Sequence, residues 1–453
     1  VVGRWVLLGI GGGLVLPAMA ALIAGNYHGA ARVTAYGVLG GTAGAAIALG
    51  PIIGGWVTTQ WSWRVIFAAE VIVALGVLMA GRWVADTPRS ARRPTLDLVG
   101  AVLSALGLFV VVVGLLMSST WGWLVPVNSP VTPFGYSLTP FAVALGVVVL
   151  YGFALWEVHR ERGGQDPLVR LSLFRIPPLK AGLVTLFAMN VVFMGVFFIL
   201  PLYLQIVLGL DALDTGLRLL PMSLVMFVVS FCGGPLLTVM SPRTIIRLSL
   251  LIMIGSVTVL LMTLEPTLRQ EYFALSMALL GAGMGLMASQ LGNVILSSVE
   301  SESRSEAGGL QYTAQQLGSA VGVAVIGSFV MTGLASAYIN LLDRNPAVGP
   351  ATVTAVEVDL SNGTKFVPAA EAESVAAAEG FTGSVADELV ATYEAAQLQA
   401  LKTGLLAAAG VAALTLLVTG GLPSERLREL AEAQTDSAGA RTVAGQPSLE
   451  KPG

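Results

Sequence analysis

Uncharged apolar runs of about 20 residues, the length that carries a helix across roughly 30 Å of hydrocarbon, recur along this chain from its first residues to about residue 420. No other feature narrows the fold as much. Inside a bilayer every backbone N–H and C=O must find its partner within the protein, which for runs of this length means helices. The runs lie at about 4 to 25, 33 to 57, 62 to 84, 97 to 118, 138 to 158, 181 to 208, 215 to 239, 244 to 264, 272 to 297, 308 to 333 and 400 to 421. The expected fold is an all-α polytopic membrane protein with about eleven transmembrane helices present.

Composition excludes several function classes. Of the 453 residues 55% are hydrophobic and 11% charged, against roughly 25% charged in an average soluble domain. A net charge of -3 offers nucleic acid no basic surface, so the expected partners are the lipid bilayer and a small molecule. Cys232 has no second cysteine to pair with and reads as a small buried hydrophobe. The two histidines, His28 and His159, each sit near loop arginines, a poor basis for a metal site. No GxxxxGK[ST] loop and no nucleophile-base set is present, so neither an enzyme, a cofactor nor a metal is expected.

Orientation follows from the basic residues. Most of the 24 Lys and Arg fall on one set of alternate connections: Arg32; Arg82, Arg89, Arg92 and Arg93; Arg160, Arg162, Arg170, Arg175 and Lys180; Arg243 and Arg247; Arg304; and the tail. Loops rich in them stay cytoplasmic. The C-terminal tail is therefore expected inside, and the polar end of it disordered. Residues 334 to 399 then form a long external connection, within which SVADELVATYEAAQLQAL has apolar residues at helical spacing and reads as a helix on or near the outer surface. Val1 opens inside apolar sequence near the outer face, so the chain reads as truncated.

The second run carries the sharpest pattern. In GVLGGTAGAAIALGPIIGGW, Gly37 is followed after eight residues by Ala46 and after three more by Gly50-Pro51, two residues, and Gly54-Gly55. Small residues at Gly37, Gly41, Gly44, Ala46, Gly50 and Gly54 would leave a shallow groove for another helix. Pro51 would bend its outer end, which packed neighbours make tolerable. A glycine cluster at Gly281, Gly283 and Gly285 likewise reads as close helix contact rather than phosphate binding.

The Gly37 to Gly55 pattern resembles the antiporter motif of the major facilitator superfamily, with Ala46 in place of one glycine. Trp61-Ser62-Trp63-Arg64-Val65-Ile66-Phe67 looks like the cluster that follows it in these transporters. Pro167-Leu168-Val169 with Leu173-Phe174-Arg175, Pro201-Leu202-Tyr203-Leu204-Gln205, Thr215-Gly216-Leu217-Arg218-Leu219-Leu220-Pro221 and Gln316-Leu317-Gly318-Ser319-Ala320-Val321-Gly322 are similar to segments of its fourteen-helix drug:proton antiporter family. The resemblance implies a major facilitator fold holding spans four to fourteen. The first three would be missing, with the acidic residue and charged loop they often carry. Residues 1-84 would be the remainder of the N-terminal bundle, 85-180 two extra linking transmembrane helices with cytoplasmic loops, and 181-333 the C-terminal bundle. An extracytoplasmic loop at 334-399, a last transmembrane helix at 400-421 and a cytoplasmic tail at 422-453 would follow. The implied function is a secondary active exporter of lipophilic drugs or other small molecules in the inner (cytoplasmic) membrane, exchanging proton by alternating access, as a monomer. A dedicated metabolite or lipid transporter and a non-transporting receptor or scaffold are the alternatives.

Candidate site residues come from polar groups inside the runs, since an ionisable group there costs roughly 2.5–3.5 kcal/mol to insert. Glu70, in AAEVIVALGVLMA, is a candidate for proton coupling, the alternative being a partner at the outer end of its helix. Arg4 stands one residue out of register with the family's buried arginine and is the second coupling candidate. Glu157 is expected to pair with a neighbouring arginine, and Asp214 to cap the helix that follows it. Asn190, Gln290, Asn293 and Gln205, with Phe193 and Met194, are candidates for a substrate cavity, because amides orient and Met and aromatic rings adapt. The alternative for the amides is hydrogen bonding between helices. The resemblance places the spans of Asn190 and Gln290 around the central cavity.

Overall fold

The computed structural model describes residues 52–83, 97–230, 236, 239–300, 303–346, 348–350, 352–354, 356, 366–378 and 380–424, and single positions among 9–50. Arg4, Gly37, Pro51, Cys232 and the tail beyond 424 lie outside the described residues, as does most of the first two apolar runs. Within them, nine helices are long and apolar enough to cross a membrane, and they coincide with the third to the eleventh run. They are α1 (Trp63–Gly81), α2 (Leu98–Trp121), α3 (Leu138–Arg162), α4 (Pro177–Pro201), α5 (Ala212–Ser230), α6 (Pro242–Thr263), α7 (Gln270–Ser297), α8 (Arg304–Asp343) and, after the short α9 (Ala369–Ala378), α10 (Ser384–Val418).

Side-chain caps and prolines set several of their starts. Asp97 accepts the Gly100 N–H at 2.8 Å ahead of α2, Ser137 and Ser241 cap α3 and α6, and Pro177 opens α4 with a φ already suited to a helix. The cap of α5 is Asp211, whose carboxylate accepts the Asp214 N–H at 2.7 Å. Asp214 itself lies in the first helical turn, three residues past the cap position. At its far end α4 passes through Pro201 into a π-helical turn, Leu202–Val207. Tyr203 there donates its hydroxyl to the carbonyls of Thr263 and Glu265, tying α4 to the end of α6.

Six helices, α4, α5, α6, α7, α8 and α10, pack into one bundle. Its core runs from Leu179 through Val196 and Tyr203 on α4 to Met253, Met277, Met287, Ile326 and Leu405. Between apolar helices in lipid there is little hydrophobic gain, so close approach through small residues decides the packing. The expected role of the α7 glycines holds. A Cβ on Gly281 would collide with the Met222 carbonyl of α5, one on Gly285 would meet the Met226 carbonyl at 2.6 Å, and one on Gly283 the Ser249 carbonyl of α6 at 2.9 Å. Gly318 and Gly322 do the same for α8 on α4, lying against the carbonyls of Phe187 and Val191.

The α2–α3 pair is a hairpin closed by Gly107, Gly114 and Gly146, and α2 docks it on α8. The Trp123 indole donates to the Ser328 hydroxyl at 2.6 Å, with Ser118 3.5 Å from the same oxygen. By contrast, α1 has no buried residue.

The connection between the last two spans differs from expectation. SVADELVATYEAAQLQAL does not lie along the surface; it is the first half of α10 and runs straight into the last span. No Gly or Pro interrupts residues 384 to 403, so nothing stops the helix. With 40 and 35 residues, α8 and α10 are about 60 and 52 Å long, well beyond the hydrocarbon thickness. Their projecting ends pair: Tyr338 and Tyr393 meet edge to face at 5.4 Å, and Leu342, Val348, Val353 and Leu389 form a second small core. Gln397 and the Tyr393 hydroxyl hold Val367 through its C=O and N–H.

Candidate functional site

Two helical elements that meet backbone to backbone need a contact free of interlocking side chains, and glycine is the residue that permits it. The helical segment 52–60 makes such a contact. A Cβ on Gly55 would lie 2.5 Å from the carbonyl oxygen of Ala212 and 2.8 Å from the Cα of Leu213, at the start of α5. Gly55 and Val57 are buried there, whereas Gly50 and Ala46 are exposed. A Cβ on Gly50 or Gly54 meets no described atom within 4 Å. Among the described residues the contact with α5 falls on the last motif glycine, Gly55; Gly37, Gly41 and Gly44 of the expected groove lie outside the described residues.

The amides expected to line a cavity divide into two groups. Asn190 is buried between α4 and α8: its Nδ2 donates to the Leu186 carbonyl at 2.9 Å, and the Ser319 hydroxyl lies 3.5 Å from its Oδ1. Gln290 is fully buried in α7 and donates to the Ser289 hydroxyl at 3.1 Å. Asn190 thus faces α8, whereas the Gln290 bond stays within α7. Asn293 on α7 and Gln205 beyond α4 are exposed. Phe193 is buried, stacked obliquely on Phe197 at 5.7 Å, and Met194 packs against the core. Ser319 had no place among the expected residues; the Gly318-x-x-x-Gly322 spacing that brings it to Asn190 was the available signal. A recess of about 240 Å³ lies where the hairpin meets the bundle, lined by Leu116, Thr120, Phe198, Val323, Ala324, Gly327 and Met331. None of the expected cavity residues lines it.

Glu70 is exposed on α1. The neighbouring Arg64 guanidinium sits over the Trp63 ring, 4.8 Å from its centre. Glu157 contradicts the expected ion pair. It is 1% exposed, and its Oε2 accepts the Val169 N–H at 3.3 Å. Arg160 instead approaches Asp97, Nε to Oδ2 3.4 Å, while also donating to the Asp166 carbonyl. Asp97 precedes the span Leu98–Ser118. Burial raises its carboxyl, but the Gly100 N–H, the Trp156 indole and Arg160 lower it further, leaving it below the ordinary carboxylate value. The sequence showed Asp97 only as the polar edge of a run, because its partners come from α3 and the loop after it.

Long apolar helices, glycine-seated on one another, with a separate helical segment resting against the bundle at Gly55, define a multi-pass helical-bundle membrane protein. The chain belongs to the Major Facilitator Superfamily, whose profile matches residues 1–323. It is 31% identical over 355 residues to the tetracenomycin C resistance and export protein of Streptomyces glaucescens, covering 78% of this chain and 63% of that protein. Identity to the puromycin resistance protein pur8 of Streptomyces alboniger is 30% over 320 residues, covering 70% and 60%. With the multidrug efflux pump LfrA of Mycolicibacterium smegmatis it is 26% over 329 residues, covering 72% and 62%. The chain spans less than two thirds of the length of each of these relatives.

Proposed function

We propose that the protein is a secondary active exporter of lipophilic small molecules, antibiotics among them, working by alternating access and driven by proton entry. The observation that carries this is the Gly55 contact: an antiporter-motif glycine rests backbone to backbone on Ala212 and Leu213 of the second bundle. Such a contact seals against leakage yet carries no side chain that would lock the bundles together. The relatives, named for resistance and export of tetracenomycin C, puromycin and multiple drugs, support the cargo class.

In this reading residues 1-84 belong to the N-terminal bundle, 85-180 to the linking hairpin and its loops, and 181-333 with 400-421 to the C-terminal bundle. The chain acts as a monomer in the cytoplasmic membrane with its tail inside. Asn293 and Gln205 are the cargo-facing amides; Asn190 and Gln290 reach the cavity only if α7 or α8 shifts. The test is efflux of ethidium and a panel of antibiotics from cells producing the full-length protein. Efflux abolished by a protonophore supports the reading, and retention of every compound overturns it in favour of a dedicated metabolite or lipid substrate.

A further inference from the structure

The head of the α2–α3 hairpin buries two carboxyl groups together. Asp97 is 7% exposed and Glu157 1%. Their four oxygens divide sharply. Asp97 Oδ1 accepts the Gly100 N–H at 2.8 Å and the Trp156 indole N–H at 3.0 Å, and Glu157 Oε2 accepts the Val169 N–H at 3.3 Å. The other two, Asp97 Oδ2 and Glu157 Oε1, are buried without a hydrogen-bond donor. They face each other. Both crowd the point where a Cβ on Gly100 would stand, Glu157 Oε1 at 2.5 Å from it, so they are no more than about 5 Å apart, a range in which two like charges strongly disfavour one another.

Among the described residues the charged side chain facing this pair is Arg160, with Nε 3.4 Å from Asp97 Oδ2. His159 stacks obliquely on Trp156, and Arg170 is committed to Glu306 of α8. Among the described residues one cation, which also donates to the Asp166 carbonyl, thus faces two carboxyls. The charges balance if the carboxyls hold a single proton, and that proton also supplies the missing donor: an O–H on one of the two unpartnered oxygens, accepted by the other. Like-charge carboxyls in close contact share a proton in this way.

We propose that Asp97 and Glu157 form a one-proton binding site, the proton residing on Glu157 Oε1 and donated to Asp97 Oδ2, and that its loss loosens the loop joining the hairpin to the C-terminal bundle. The connection is short. Val169 hangs on the Glu157 carboxyl, and the next residue, Arg170, is tied to Glu306 through its N–H at 3.3 Å and its guanidinium at 3.4 Å. Glu306 stands in the first turn of α8, the helix that carries Gly318, Ser319 and Gly322 against α4. Ionising Glu157 places a second negative charge beside Asp97 with no second cation among the described residues, so the pair separates and the Val169 contact moves with it. The site stands apart from the export reading, since neither the geometry nor the readout involves cargo.

Infrared difference spectroscopy of the full-length protein in membranes reads the proton directly, through the carbonyl stretch of a protonated carboxylic acid. At neutral pH the wild type should show this band, and Glu157→Gln should remove it. Asp97→Asn should remove it as well, because Glu157 is then left beside Arg160 and ionises. Amide exchange across residues 163–176 should accelerate as alkaline pH abolishes the wild-type band. Three results each overturn the proposal: no protonated-carboxyl band in the wild type, a band unchanged in Glu157→Gln, or a band lost in Glu157→Gln but intact in Asp97→Asn, which would leave Glu157 neutral through burial alone. If Glu157→Gln does not insert, the wild type and Asp97→Asn decide the matter by themselves.

Discussion

Gly55 lies against Ala212 with no room for a side chain: the carbonyl oxygen of Ala212 is 2.5 Å from where a Cβ would be. Even alanine there must push two backbones apart by a substantial fraction of an ångström. Overpacking of this kind costs about 1–3 kcal/mol, here charged to the conformation in which 52–60 rests on α5. Gly55→Ala is expected to reduce export several-fold at unchanged membrane abundance, and Gly54→Ala to leave it near wild type. Equal efflux in the two variants would remove Gly55 from the mechanism.

Gly318→Val and Gly322→Val test the α8–α4 seam, where a Cβ meets the Phe187 and Val191 carbonyls. Backbone carbonyls cannot rotate out of the way as a side chain can. Both variants are expected to lower the thermal midpoint of the purified protein and its yield in the membrane. Gly309→Val, whose Cβ meets nothing within 4 Å, is the matched control and should change neither.

Ser328→Ala deletes the acceptor of the Trp123 indole, leaving a half-buried N–H without its 2.6 Å partner. Losing one partner of such a pair costs about 1–3 kcal/mol. The expected outcome is a looser hairpin: a cysteine pair placed at Thr120 and Gly327, which line the same recess, should cross-link less efficiently than in the Ser328 parent. Unchanged cross-linking would show that α2 is held by its apolar contacts alone.

Tyr393→Phe keeps the ring against Tyr338 but removes the hydroxyl that accepts the Val367 N–H. Limited proteolysis should then cut more readily near residue 367, while α10 stays intact. Protection equal to wild type would assign the packing of this segment to Gln397 and the small apolar core.

Asp211→Ala removes the side chain that caps α5 at Asp214, a loss worth about 1 kcal/mol in typical helices. The thermal midpoint should fall modestly. Asp214→Asn should leave it unchanged, since Asp214 contributes its N–H to the cap and not its carboxylate.

What the sequence determined by itself is the part governed by solvent. Hydrocarbon forces each backbone to satisfy itself, so apolar run length alone located the membrane-crossing part of α1 through α8 and α10, but not the projecting ends of α8 and α10, which run about ten and sixteen residues past their apolar runs. The same local logic foretold that Gly281, Gly283 and Gly285 would be contact points, because small residues inside an apolar helix have little other use. The antiporter pattern was legible for the same reason, as spacing along one helix.

The tertiary structure decided everything that depends on which helix stands beside which. Spacing could not say that Gly55, and not the Gly50/Gly54 stripe, meets α5, since the choice is made by Ala212, more than 150 residues away. It could not turn SVADELVATYEAAQLQAL from a surface helix into the upper half of α10, because only Tyr338 and Leu342, on the projecting end of α8, give that amphipathic face something to bury against. Nor could it bring Asp97 to Glu157. Each looked like an ordinary polar helix end; only folding removes both from water and brings Arg160 to Asp97 beside Glu157.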